Sequence, residues 1–357
     1  MSQFSVLTAD SQYDIERWSE AWNRWPAREV FAHPHYLRLF GTHTEKAVCV
    51  LFESHNGTVL YPFFLRNVDA PYMKDIEYRG VRDIASPYGY GGPMVIESFN
   101  RKALAAEFWN HFDSWCERSN VISEFVRFTL FTDSLLEFPG EAEVIQNNVV
   151  RSLDLSAEEL WMDFDHKVRK NVKKAQRLGV TIEVDLEGEF FDDFYRIYKD
   201  TMDRRSASSG YYFGEDFFRA IHESLSGQFA YFHARHEERI VSTELVLLSE
   251  ENAYSFLGGT LGEAFDKRPN DLLKFEIMKW AGQNGKKRFV LGGGFAANDG
   301  IFKYKKAFAP SGSVPFLVGR RILNPVTYNA LVEGSVARRT IDGAPPIPNG
   351  YFPAYRG

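Results

Sequence analysis

The sequence predicts two mixed α/β domains of one design, and three observations lead there. The chain has 357 residues, longer than most single domains, so two is the starting expectation. A hydrophobic content of 44% with 25% charged residues supplies enough apolar material for two cores. The order hairpin, helix, strand occurs in the first half and again in the second, without the short sequence period of a solenoid or propeller.

In the first half, residues 46–66 (KAVCVLFESHNGTVLYPFFLR) read as two strands around a turn, with Asn56 and Gly57 supplying its positive φ values. The loop SPYGYGGP follows. Residues 100–118 place Leu104, Phe108, Phe112 and Trp115 at helical spacing, and residues 122–131 read as a strand. In the second half, residues 228–249 form a hairpin turning near Glu237 and Glu238. Residues 252–260 are a strand, 270–284 a helix and 287–294 a strand. The join falls near residues 148–156, where a strand passes into a capped helix start, giving domains of 1–150 and 151–319. The tail DGAPPIPNGYFPAYRG is too rich in Pro and Gly for a helix or central strand and is expected to lie extended, held by Tyr351, Phe352 and Tyr355.

The beginning of the chain shows no basic segment followed by an apolar run, and no apolar run approaches 18 residues, so a cytoplasmic protein without a transmembrane segment is expected. Cys49 and Cys116 fall in apolar or helical surroundings and read as inert thiols. The net charge of -6 argues against wholesale coating of nucleic acid and leaves room for local basic patches. Residues 166–180 are one such patch. Lys167, Arg169, Lys170, Lys173, Lys174 and Arg177 occur there without an acid, around an apolar stripe of Val168, Val172, Ala175 and Leu178. The helix is either a solvated face or a surface for phosphates of a nucleotide or an RNA backbone.

Residues 199–213 set Arg204 and Arg205 before a Ser/Gly loop and the pair Tyr211 and Tyr212. That combination suits a phosphate-binding loop, or a helix end whose arginines complement the dipole. LGGG at 291–294 permits close backbone approach or a sharp turn. No GxGxxG or GxxxxGK[ST] motif occurs, the histidines fit no closed zinc site, and no GxSxG elbow is present. Neither metal nor cofactor is expected. In GIFKYKKAF, residues 300–308, an extended backbone would put Lys303 and Lys305 on one face. Two ammonium groups so placed would await an anion, the alternative being a surface strand with lysines reaching to water.

Taken in order, SPYGYGGP, VRKNVKKAQRLGV, TMDRR, LGGT, RPNDLLKFEIMKWA, LGGG, FKYKKAF and FPAYR make the chain resemble the Fem-type aminoacyltransferases that build peptidoglycan bridges, and through them the GNAT-fold acyltransferases. The likeness covers nearly the whole chain. It implies two GNAT-like domains in tandem, each a mixed, mostly antiparallel sheet flanked by helices, with residues from about 320 to 357 returning to the first. It also implies an enzyme that carries an aminoacyl or acyl group to the amine of a nucleotide- or lipid-linked envelope precursor, with aminoacyl-tRNA as donor.

On that resemblance Lys305 stabilises the developing oxyanion, with Tyr304 where the family has Phe. Lys303, Arg204, Arg205, Tyr211, Tyr212, Tyr254 and Phe256 are candidates for binding substrate. Lys167, Lys170, Lys173, Lys174 and Arg177 are candidates for phosphates of the donor. An acyl-CoA-dependent N-acyltransferase of an amino sugar and a non-enzymatic RNA or anionic-glycan binder are the alternatives. Against acyl-CoA stands the passage LGGTLGEAFDKRPNDLL, which lacks the Q/R-x-x-G-x-G/A loop that cradles a pyrophosphate at a helix start. The short chain shows no coiled-coil arm, and a monomer is expected.

Overall fold

The computed structural model describes residues 2–68, 80–296 and 298–357. Its chain divides into two compact units: residues 1–26, 31–145 and 316–357 form the first, and 27–30 with 146–315 form the second.

The first unit begins with β1 (Gln3–Thr8), α1 (Gln12–Arg24) and the short α2 (Pro34–Arg38). The hairpin of β2 (Glu45–Ser54) and β3 (Gly57–Asn67) follows, then β4 (Arg82–Ala85), β5 (Met94–Ser98), α3 (Arg101–Arg118) and β6 (Val121–Arg127). β3 pairs antiparallel with β2, β4 and β5, while β4 runs parallel to β6. Ser54 pairs with Gly57, so the turn residues are His55 and Asn56 rather than Asn56 and Gly57; Gly57 itself closes the hairpin at φ +142°. The Asn100 side chain accepts from Ala103 N–H to start α3, whose Leu104, Phe108, Phe112 and Cys116 are buried on the sheet.

The second unit contains the end of β7 (Glu141–Ser152), then α4 (Ala157–Asp163), α5 (His166–Arg177), β8 (Thr181–Asp185), α6 (Phe191–Arg204) and α7 (Glu215–Ser224). β9 (Phe229–His236), β10 (Arg239–Leu248), β11 (Asn252–Thr260), α8 (Pro269–Gln283), β12 (Arg288–Gly292) and α9 (Gly300–Lys306) complete it. The strand order is β7-β12-β11-β10-β9-β8. Helices cover both faces. On β9, Ala230, Phe232 and Ala234 join the core with Val168 and Val172 of α5 and Ile277 and Ala281 of α8. The alternate residue Tyr231 packs on Phe194 of α6 at 4.7 Å between ring centroids. Glu237 and Glu238 take φ +48° and +64°, the twist that a tight hairpin requires.

Residues 300–308 are not a strand. Asp299 Oδ1 accepts from Phe302 N–H at 2.7 Å and caps α9, and Phe302 and Phe308 bury in the core. Five apolar or aromatic positions in nine residues satisfy a period of two or of 3.6 equally, and the Asp cap decides between them. Lys303 and Lys305 therefore do not share a face: Lys303 is exposed and Lys305 half-buried.

The first unit closes with β13 (Ser313–Ile322), whose Val318–Ile322 segment pairs antiparallel with β6, and α10 (Pro325–Asp342). The tail is held by Tyr355, whose hydroxyl lies 2.8 Å from both Asp83 Oδ2 and Ser123 Oγ, while Phe352 stacks on Tyr328. Tyr351 is about half exposed. Cys49 and Cys116 are buried free thiols. Among the described residues no helix is long and apolar enough to cross a membrane.

Candidate active site

The parallel pairing of β11 with β12 runs from Asn252–Arg288 to Tyr254–Val290 and is not continued beyond it, although β11 extends to Thr260. The length of β11 beyond Tyr254, paired with β10 but not with β12, forms one wall of a cavity of about 720 Å³. The start of α8, the end of α6 and α9 supply the others. Opposite β10 the register shifts between Leu245 and Val246, leaving Phe256 as the extra residue of a β-bulge on this wall. Bulges aim side chains and backbone groups away from the regular ladder and recur beside active sites.

Lys305 reaches the cavity from α9. Its Nζ donates to the Gly293 carbonyl at 2.7 Å. Gly292, at φ +82°, would place a Cβ only 3.3 Å from that nitrogen, so glycine leaves the ammonium its room. Asp299 Oδ2 accepts from the N–H groups of Phe295 and Ala296, which fixes the loop carrying the Gly293 carbonyl. Burial lowers the Lys305 pKa to about 8, and repulsion from Lys274 acts in the same direction, while Glu244 and Asp299 pull it up.

Beneath Lys305 lies a buried ion pair that local sequence reading misses. Lys274 on α8 donates to both carboxylate oxygens of Glu244 on β10 and to Ser255 Oγ at 2.8 Å. Both charged side chains are less than a tenth exposed. Tyr304 contributes a phenol that accepts from Asn270 Nδ2 at 2.8 Å; burial first, and then the charges of Asp271 and Glu244, hold its pKa well above the ordinary value. Arg268 joins the wall with a left-handed backbone, φ 60° and ψ 39°, immediately before Pro269. Such a conformation is uncommon for a residue with a Cβ and locates strain at the cavity.

The other candidates divide. Arg204 lies on the wall but is engaged, donating to the Thr260 carbonyl at 2.7 Å and resting its guanidinium 5.0 Å from the Phe265 ring centre. Arg205 lies on the wall, exposed, and forms no ion pair among the described residues. Phe256 lines the cavity. Tyr254 does not: its hydroxyl donates to Glu29 Oε2 at 2.7 Å in the interior. Tyr211, Tyr212 and Lys303 are exposed and outside the lining. On α5 the stripe of Val168, Val172 and Ala175 is buried, whereas Leu178 is 40% exposed. Lys167, Lys170, Lys173, Lys174 and Arg177 form no ion pair among the described residues, although Lys173 lies 5.7 Å from the Trp161 ring centre. Asn171 of the same helix turns inward and bonds Asp271 on the cavity wall.

Residues 163–306 match the family model described as the acetyltransferase (GNAT) domain. The matched residues lie within the second unit. Among solved structures the chain is similar to FemX, at 15% identity and a TM-score of 0.65, covering 88% of this chain and 98% of that one. It is similar to the C-terminal domain of a putative lysylphosphatidylglycerol synthetase from Agrobacterium fabrum, at 14% identity and a TM-score of 0.55, covering 92% and 96%. It is also similar to L-PGS from Bacillus licheniformis, at 14% identity and a TM-score of 0.54, covering 95% and 99%. At these identities the likeness is one of fold, mixed α/β and GNAT-like. No curated protein matches the sequence.

Proposed function

We propose that the chain is an acyltransferase that moves an aminoacyl group from charged tRNA to the amine of a nucleotide- or lipid-linked cell-envelope precursor. The observation that carries this reading is Lys305, an ammonium of lowered pKa anchored at 2.7 Å to the Gly293 carbonyl on the wall of the cavity in the GNAT-type domain. In the reaction the acceptor nitrogen attacks the ester carbonyl carbon, and a C–N bond forms as the carbonyl oxygen becomes an oxyanion. The C–O bond to the ribose then breaks, the nitrogen loses a proton and the ribose oxygen gains one. Lys305 has two N–H bonds beyond the one given to Gly293, and either can stabilise the oxyanion in a partly water-excluded site.

Two features favour tRNA over acyl-CoA as donor. The passage from β11 to α8 is a 3₁₀ turn, Gly262–Lys267, that ends on the left-handed Arg268, in place of a glycine loop opening the helix. The α5 cations, adjacent to the cavity through Asn171, offer a polyanion a long positive surface. The match to an acetyltransferase domain favours the second reading, acyl-CoA-dependent N-acylation. Incubation with total charged tRNA or with acetyl-CoA, each with amine-bearing envelope precursors, separates the two by the acceptor's mass shift. A shift with charged tRNA alone supports the first reading, and one with acetyl-CoA alone replaces it with the second.

A further inference from the structure

The cavity wall carries two acids, and they are held differently. Glu244 gives both oxygens to Lys274 and is neutralised. Asp271, in the first turn of α8 and only 6% exposed, accepts at Oδ1 from the neutral amide of Asn171 at 3.0 Å. It has no ion pair among the described residues. Burial raises its pKa against the Asn171 hydrogen bond, the more distant charges of Arg268 and Lys167, and a hydrogen bond from its own backbone N–H. A buried carboxylate without a bonded cation, facing an open cavity, is costly until a cation occupies the space beside it.

We propose that Asp271 binds the free α-ammonium group of the aminoacyl donor, so that the enzyme distinguishes an aminoacyl ester from a plain or N-blocked acyl ester. This rests on the donor reading given above and deepens it. An aminoacyl ester carries its ammonium on the carbon next to the reacting carbonyl. With the oxyanion at Lys305 on α9, a second contact of opposite sign from the start of α8, lining the same cavity, fixes the orientation of the acyl group. Asn171 acts as a positioning residue that holds the carboxylate toward the cavity. An acetyl group has no cation to offer and gains nothing from Asp271.

The test compares retention of three tRNA pools by the protein: total tRNA charged with mixed amino acids, the same pool after N-acetylation of the aminoacyl group, and uncharged tRNA. The wild type is expected to hold the charged pool about tenfold or more tightly than the N-acetylated one, the scale of losing one desolvated ion pair. Asp271→Asn, with thermal unfolding recorded to establish its fold, is expected to bring the two within about twofold of each other. Asn171→Ala keeps the carboxylate and is expected to lose part of the preference. Equal retention of charged and N-acetylated tRNA by the wild type overturns this inference alone. So does a preference that persists in Asp271→Asn, which marks it as steric. Retention of none of the three pools overturns both this inference and the tRNA reading beneath it.

Discussion

The Nζ of Lys305 lies 2.7 Å from the Gly293 carbonyl, on a loop that Asp299 holds through two further backbone hydrogen bonds. An ammonium tethered in this way keeps its position as substrate arrives, so little reorganisation accompanies charge development. In the proposed role Lys305 sets a positive charge against the oxyanion only when protonated, so that contribution is present below its pKa and lost as the pH rises through about 8. The rate profile of the wild type is expected to show an alkaline limb there. The residual activity of Lys305→Met is expected to lack it.

Burial sets that limb first, and the Glu244–Lys274 pair adds two opposed contributions. Lys274→Met removes the cation that depresses Lys305 and leaves Glu244, which raises it, so the alkaline limb moves above 8. The same change strands a buried carboxylate and is expected to cost about 3–5 kcal/mol in chemical denaturation. Replacing both partners by apolar residues recovers most of that loss, because no uncompensated charge remains.

Glu29 provides a pH test of stability. Its side chain accepts from Asn252 and Tyr254 in the second unit, and burial raises its pKa from 4.5 to about 7. A carboxyl whose folded pKa lies above the unfolded one stabilises fully below 4.5, and that contribution is lost as the pH rises through about 7. Glu29→Gln is expected to flatten the stability profile over this interval, so that the variant gains on the wild type as the pH increases. Denaturation midpoints across the interval measure it.

On α5, Lys170 and Lys174 are one turn apart, a like-charge arrangement that destabilises an isolated helix and favours an external anion. Each of Lys170→Gln and Lys174→Gln is expected to weaken tRNA binding for all sequences alike. Each is expected to lower the slope of log affinity against log salt by about 1. An unchanged slope would make these lysines a solvated face.

The alternation of hairpins, helices and strands is legible in the sequence because apolar spacing is a local property, and the turn at Glu237–Glu238 and the basic helix α5 follow from it. The site was legible only in part. Lys305 is singled out only by the family resemblance, and its surroundings depend on a helix that begins at a single aspartate, in a segment too short for periodicity to distinguish helix from strand. Lys274 and Glu244 lie thirty residues apart and meet because α8 packs on the sheet; nothing local in either segment signals a partner. Asp271 reads as an ordinary first-turn acid until the cavity beside it is known. Ala27–Val30 joins the second unit through Glu29, the Arg28–Glu250 ion pair and the Val30 N–H bond to Ser249, tertiary contacts without a sequence signature.

The central claim is that Lys305 stabilises the transition state of acyl transfer in this cavity, and single-turnover transfer from charged tRNA to an amine acceptor by Lys305→Met tests it most directly. The variant is expected to fold as the wild type does and to transfer about 10²–10³-fold more slowly, the scale for losing one oxyanion donor. A rate within about twofold of the wild type would contradict it.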